Sequence, residues 1–173
     1  MEQIINNLFL GSDNDHAYAL SKGWPILVAA KAGPWGHQQE LGYTSHGAPK
    51  DHTYYFVDHG NVRHLNLIDP DNPHLIGAEA INAGLEFIQK HIDNGPLLVH
   101  CNQGHSRGPS IVLMYLRTIG EMPNGYMQSQ KKFKTIYPMY APQQGIDQFT
   151  RFNWRRLLYE GQTTNVPDSS VSS

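Results

Sequence analysis

The segment that most constrains this chain is Leu97-Leu98-Val99. It is short, wholly apolar and bounded by Asn94-Gly95-Pro96 on one side and His100-Cys101 on the other. Such a run has no polar edge to offer water, so it reads as a central strand of a sheet covered on both faces. A polar loop follows, from Cys101 to Arg107, and then Pro109–Ile119 reads as a buried helix. Pro109 suits the first helical turn, where its missing N–H costs no hydrogen bond. A strand, a polar loop and a helix in that order form an α/β unit, and ligands of such sheets bind at the carboxyl ends of the strands.

The remaining chain repeats the alternation. Ile4–Leu10 reads as two short strands with a bend at Asn6-Asn7, and Asp13–Ser21 as a helix with Asp and Ser supplying cap chemistry. Pro25–Ala30 reads as a buried strand. Tyr54–Val57 and Val62–Leu67 read as strands split by a turn at Asp58-His59-Gly60-Asn61. Leu75–Ile92 carries Ile81, Leu85, Ile88 and Ile92 at helical spacing. Two more helices are expected, over Asn124–Tyr137 and 143–160. The sum is a single α/β domain over 1–160, with a mostly parallel central sheet of about five strands flanked by helices. Residues 161–173 are polar, end in serines and read as a disordered tail. Between Lys31 and His52 lies a long stretch rich in Gly, His and aromatics, which reads either as a shaper of a site or as a surface excursion.

Composition narrows the function classes. Apolar residues make up 39% of the chain and charged ones 16%, enough of the former for a core. A formal net charge of -2 argues against a general nucleic-acid binder. No apolar run reaches the length of a membrane span, and the first residues lack the pattern of a signal peptide. The single cysteine excludes an intramolecular disulfide and fits a reducing cytoplasm. Ten histidines are present, but none falls in a metal-ligand spacing, so no metal and no cofactor are expected.

Cys101 therefore carries the interest. The loop Asn102-Gln103-Gly104-His105-Ser106-Arg107 can aim successive backbone N–H groups at one point, and the following helix adds its positive end. Such a nest binds a phosphate-sized anion. The same donors stabilise a thiolate, which makes the sulfur a nucleophile at neutral pH. Gly104 suits a position of positive φ or close backbone approach. Arg107 has a planar fork able to grip two phosphoryl oxygens. Asn102 and Gln103 are expected to give mainly their N–H groups. His105 either touches substrate or faces solvent.

His100-Cys101-Asn102-Gln103-Gly104-His105-Ser106-Arg107 resembles the Cys-x5-Arg loop of the cysteine-based protein tyrosine phosphatase superfamily. The opening Asn7-Leu8-Phe9-Leu10-Gly11-Ser12 is similar to the start of its dual-specificity branch. The likeness covers roughly Ile4 to Glu160. It implies attack by Cys101 on phosphorus, a phosphocysteine intermediate and its hydrolysis by water. It also implies a general acid on the loop that precedes the helix leading to the Cys strand. Leu67-Ile68-Asp69-Pro70-Asp71 occupies that place. Asp69 directly follows the strand and is the expected acid; Asp71 is the alternative. The resemblance gives His100 the task of orienting the loop through backbone hydrogen bonds.

One position departs from the family. A Ser or Thr usually follows the Arg and helps the thiolate leave in the second step, whereas this chain has Gly108. Slow breakdown of the phosphocysteine is expected. The loop also lacks the lysines of phosphoinositide-directed relatives. Expected substrates are phosphotyrosine and, beyond it, phosphoserine or phosphothreonine in proteins. A small phosphorylated metabolite or nucleotide, and a phosphate-recognition module with weak turnover, are the alternatives. The lone Cys speaks against arsenate reductase chemistry, and the placement of Asp69 speaks against a sulfurtransferase.

Overall fold

The computed structural model of the chain describes residues 1–157. The helix expected over 143–160 spans only Gln144–Asn153, and the tail expected over 161–173 lies outside the described residues.

Six strands form one sheet: β1 Glu2–Ile5, β2 Leu8–Gly11, β3 Ile26–Val28, β4 Phe56–His59, β5 Val62–Leu65 and β6 Leu97–His100. Their order is β1-β2-β6-β3-β5-β4. The inner four are parallel, and β1 and β4 close the two edges antiparallel. The expected central strand is indeed β6. Val99 pairs with Leu10 on one side and Leu27 on the other. Its carboxyl end therefore emerges between the ends of β2 and β3.

The strand alternation sorts the core. Leu97 and Val99 face a large cluster with Leu8, Leu10, Leu27 and Leu65, while Leu98 faces a smaller one with Ile26, Val28 and Val62. The large cluster is completed by α3 Ala78–His91, α4 Arg107–Thr118, α5 Tyr126–Ile136 and α6 Gln144–Asn153, through Ile81, Ile111, Phe133 and Ile146. The smaller one is covered by Ala19 of α1, His16–Ser21, and by Trp24 and Trp35. Each fully buried Leu or Ile in these layers contributes about 1.5–3 kcal/mol relative to exposure.

Several boundaries differ from the sequence reading. The sheet counts six strands, with the two short strands expected around Asn6-Asn7 both joining it as a hairpin. β4 runs on through Asp58 and His59, so the turn shrinks to Gly60-Asn61. Asp58 stays in the strand because both its oxygens accept from Arg63 opposite, at 2.7 and 2.8 Å. Cross-strand charge pairing holds a polar residue in an edge strand that apolar patterning misses. The expected helix at Asp13 opens as a 3-10 turn over Asp13–Asp15, with a capping box between Ser12 and Asp15. The helix expected from Leu75 begins at Ala78, after a 3-10 turn over Pro73–Leu75.

The stretch from Lys31 to His52 is not a plain loop. It contains α2, His37–Leu41. His37 is fully buried, and its ring bonds Tyr43 Oη at 2.8 Å and the Thr53 carbonyl at 2.7 Å. A buried ring with both nitrogens satisfied pins the excursion to the body of the domain. Among the described residues, no helix is long and apolar enough to cross a membrane.

Candidate active site

β6 delivers Cys101 to the centre of the sheet's carboxyl edge, 2% exposed. The loop then turns sharply. Gly104 has φ +79°, and a Cβ there would lie 2.9 Å from the Gly11 carbonyl oxygen. Both facts require glycine. Tyr137 Oη donates to the Gly104 carbonyl at 2.9 Å, so the end of α5 also holds the loop. α4 begins at Arg107 with no side-chain cap on its first turn. A Cβ on Gly108 would sit 3.5 Å from Cys101 Sγ, which places the sulfur against that turn.

Arg107 is fixed from two sides. Its Nη1 donates to the Leu67 carbonyl at 3.1 Å and its Nη2 to Asn102 Oδ1 at 2.6 Å. Its Nε is buried and has no hydrogen-bond partner. A buried, unpaired guanidinium N–H is costly unless an anion completes it.

Asn102 does more than supply a backbone N–H. Its Nδ2 donates to Asp13 Oδ2 at 3.1 Å and to the Ala32 carbonyl at 3.0 Å. With its Oδ1 on Arg107, the side chain brackets three segments together. Gly33, at φ +104°, leaves it room; a Cβ there would overlap the amide nitrogen. Gln103 is exposed at the cleft, and His105 is partly exposed with Nδ1 3.1 Å from the Met139 carbonyl.

Asp69 and Asp71 part company. Asp69 is half-buried and lines the same cleft as Cys101 and Arg107, of about 240 Å³, whereas Asp71 is exposed and does not line it. Ser106 Oγ donates to Asp69 Oδ1 at 3.1 Å and accepts from the Gln143 N–H at 2.9 Å. Arg107 Nε lies 3.7 Å from Asp69 Oδ2. Burial pushes the Asp69 carboxyl above the usual carboxylate range, and the Ser106 hydroxyl and Arg107 only partly oppose it.

His100 lies behind the loop, fully buried. Its Nδ1 is 3.3 Å from the Cys101 carbonyl, the backbone contact expected for it. Its Nε2 is 2.8 Å from His16 Nδ1. A carbonyl only accepts, so His100 carries its proton on Nδ1 and takes one from His16. His16 stacks on Trp35 with ring centroids 3.9 Å apart. Burial holds both rings down to about 4. Ala141 and Gln143, which also line the cleft, and His16 behind the loop carry no signal in the sequence. His16 sits 84 residues from its partner, in a segment whose only local mark is a helix cap.

Among the described residues, no group of three or more His, Cys, Asp or Glu side chains is placed to hold a metal ion. The site offers a buried sulfur, a guanidinium Nε without a hydrogen bond and a carboxyl of raised pKa. Together these can hold a small tetrahedral anion, attack it and protonate what leaves.

No family model matches the chain, and no curated protein does. Solved structures do. The crystal structure of DUSP15 superposes with a TM-score of 0.62 at 17% identity, covering 91% of each chain. A leucine rich repeat and phosphatase domain containing protein from Entamoeba histolytica gives 0.61 at 15% identity, covering 90% of each. The human tyrosine phosphatase-like serine/threonine/tyrosine-interacting protein gives 0.54 at 20% identity, covering 86% of this chain and 91% of that one. The chain thus has the α/β fold of the dual-specificity phosphatases.

Proposed function

We propose that this chain, folded as the dual-specificity phosphatases are, hydrolyses phosphate monoesters through Cys101. One observation carries the reading: Cys101, Arg107 with its unpartnered Nε, and Asp69 with its raised pKa open on one cleft.

In the first step the Cys101 thiolate attacks phosphorus and the ester P–O bond breaks. Asp69, protonated, gives its proton to the departing oxygen. Arg107 and the loop N–H groups hold the equatorial oxygens as charge redistributes. In the second step water attacks the phosphocysteine. The Asp69 carboxylate takes its proton, the S–P bond breaks, and inorganic phosphate leaves with the thiolate restored. Asp69 is favoured over Asp71 because only Asp69 lines the cleft. Asn102 and His100 act as positioning residues, the first on Arg107 and the second on the Cys101 carbonyl.

The proposed substrates are phosphotyrosine and, beyond it, phosphoserine or phosphothreonine in proteins. The absence of lysine from Cys101 to Arg107 supports this over a polyanionic inositol headgroup. Release of phosphate from an aryl phosphate tests the reading. Loss of release in Cys101→Ser, with a severe reduction in Asp69→Ala, is expected. Tight phosphate binding without any release would instead make the site a recognition module.

A further inference from the structure

A groove larger than the cleft, of about 440 Å³, lies beside it. The two share a wall. The Leu67 carbonyl that accepts from Arg107 also accepts from the Lys31 N–H, at 2.9 Å. Ile68 lines the groove, and its neighbour Asp69 lines the cleft. On the other strand of the wall, Lys31 lines the groove, and the next residue, Ala32, bonds Asn102 of the cleft. A chain with its phosphate on Cys101 has this groove as its neighbouring surface.

The lining has two characters. Lys31 makes no ion pair among the described residues and lies over the Tyr43 ring at 5.9 Å. It stands at the wall the groove shares with the cleft, next to Ala32, a cation without an ion pair. Tyr55, Ile68 and Leu75 of the same groove are exposed by 37%, 37% and 60%. These are large apolar side chains gathered at one groove rather than scattered. The one carboxylate of the groove is Glu79, on the first turn of α3. The excursion from Lys31 to His52 builds one side, through Lys31, His46 and Ala48.

We infer that this groove selects phosphorylated polypeptide, with Lys31 taking an acidic side chain adjacent to the phosphorylated residue and Tyr55, Ile68 and Leu75 seating an apolar one. The inference rests on the phosphatase reading above. A free phosphorylated metabolite would fill the cleft and leave the groove unused, so the groove favours a protein substrate. Charge complementarity at Lys31 sets which flank is preferred. The apolar cluster supplies contact area.

Matched phosphotyrosine peptides test it, differing only in Asp or Lys beside the phosphorylated residue, with an aryl phosphate as the internal reference. The wild-type chain should favour the Asp peptide by about fivefold in kcat/KM, the scale of one part-exposed ion pair. In Lys31→Glu that preference should reverse. In Leu75→Ala, peptide kcat/KM divided by the variant's own aryl phosphate kcat/KM should fall, mainly through KM. Circular dichroism checks that both variants fold. Equal rates on the two peptides, or an Asp preference unmoved in Lys31→Glu, overturn the inference while leaving the phosphatase reading intact. Wild-type failure on the aryl phosphate itself overturns that reading, and the inference with it.

Discussion

Ser106 Oγ donates to Asp69 Oδ1 at 3.1 Å, which ties the residue before Arg107 to the carboxyl proposed as general acid. That bond stabilises the charged carboxylate and opposes the upward push of burial. Removing it in Ser106→Ala should raise the Asp69 pKa further. An acid works only below its pKa, so the alkaline limb of kcat/KM should move to higher pH. Asp69→Ala should abolish that limb and cost about 10²–10⁴-fold in rate on substrates with poor leaving groups. A pH–rate profile of the three proteins checks both statements.

Gly108 brings no hydroxyl to the position after Arg107. A serine Cβ would lie 3.5 Å from Cys101 Sγ and 3.2 Å from the Cys101 nitrogen, so it fits after a small backbone adjustment. In the proposed mechanism phosphocysteine breakdown limits turnover, so Gly108→Ser should raise the steady-state rate. Rapid-quench kinetics should show a burst of alcohol in the native protein and a smaller one in the variant. No phosphoenzyme build-up and no gain in rate would sink this point.

The His16–His100 pair links stability to pH. Burial holds both rings down to about 4 from an ordinary 6.5, with His64 reinforcing; the bond to the Cys101 carbonyl and Asp15 oppose it at His100, and Asp13 at His16. The unfolded chain therefore binds more protons between those values. Stability is full above about pH 6.5 and falls as pH drops toward 4, each ring adding a slope approaching ~1.4 kcal/mol per pH unit. His16→Gln keeps a donor for His100 and removes one titrating ring. Its Tm should fall less steeply over that window in calorimetry.

Gly145 opens α6 against the acid loop. A Cβ there would overlap the Pro70 carbonyl oxygen, next to Asp69. Gly145→Ala should displace that loop. Substrates with poor leaving groups, which need the acid, should lose more kcat/KM than aryl phosphates with good ones. Equal losses would mean a general loss of folding.

The parts of this account that were readable from residue order are local ones. β6, the Cys101 loop and α4 are contiguous, so strand, nest and helix could be read together. The resemblance points to the loop holding Asp69 and Asp71, and Asp69 stands out there because it directly follows apolar Leu67-Ile68. What stayed hidden depends on distant segments. Asn102 looked like a loop backbone donor, yet its side chain reaches Asp13 and Ala32. His16 finds His100 only because β2 and β6 pair. β4 was cut short because Asp58 looks like turn chemistry until Arg63 stands opposite it. The groove exists because His37 anchors the excursion after Lys31, and no spacing in the sequence announces that anchor.

The central claim is that Cys101 carries the phosphoryl group. Asp69→Ala, given an aryl phosphate whose leaving group needs no acid, should form the intermediate and lack the base to hydrolyse it. Acid quench followed by peptide mass spectrometry should find phosphate on the peptide holding Cys101, and none in the Asp69→Ala, Cys101→Ser double variant. Phosphate release from the Cys101→Ser protein at the native rate, or a phosphoryl group found on another residue, would contradict the account.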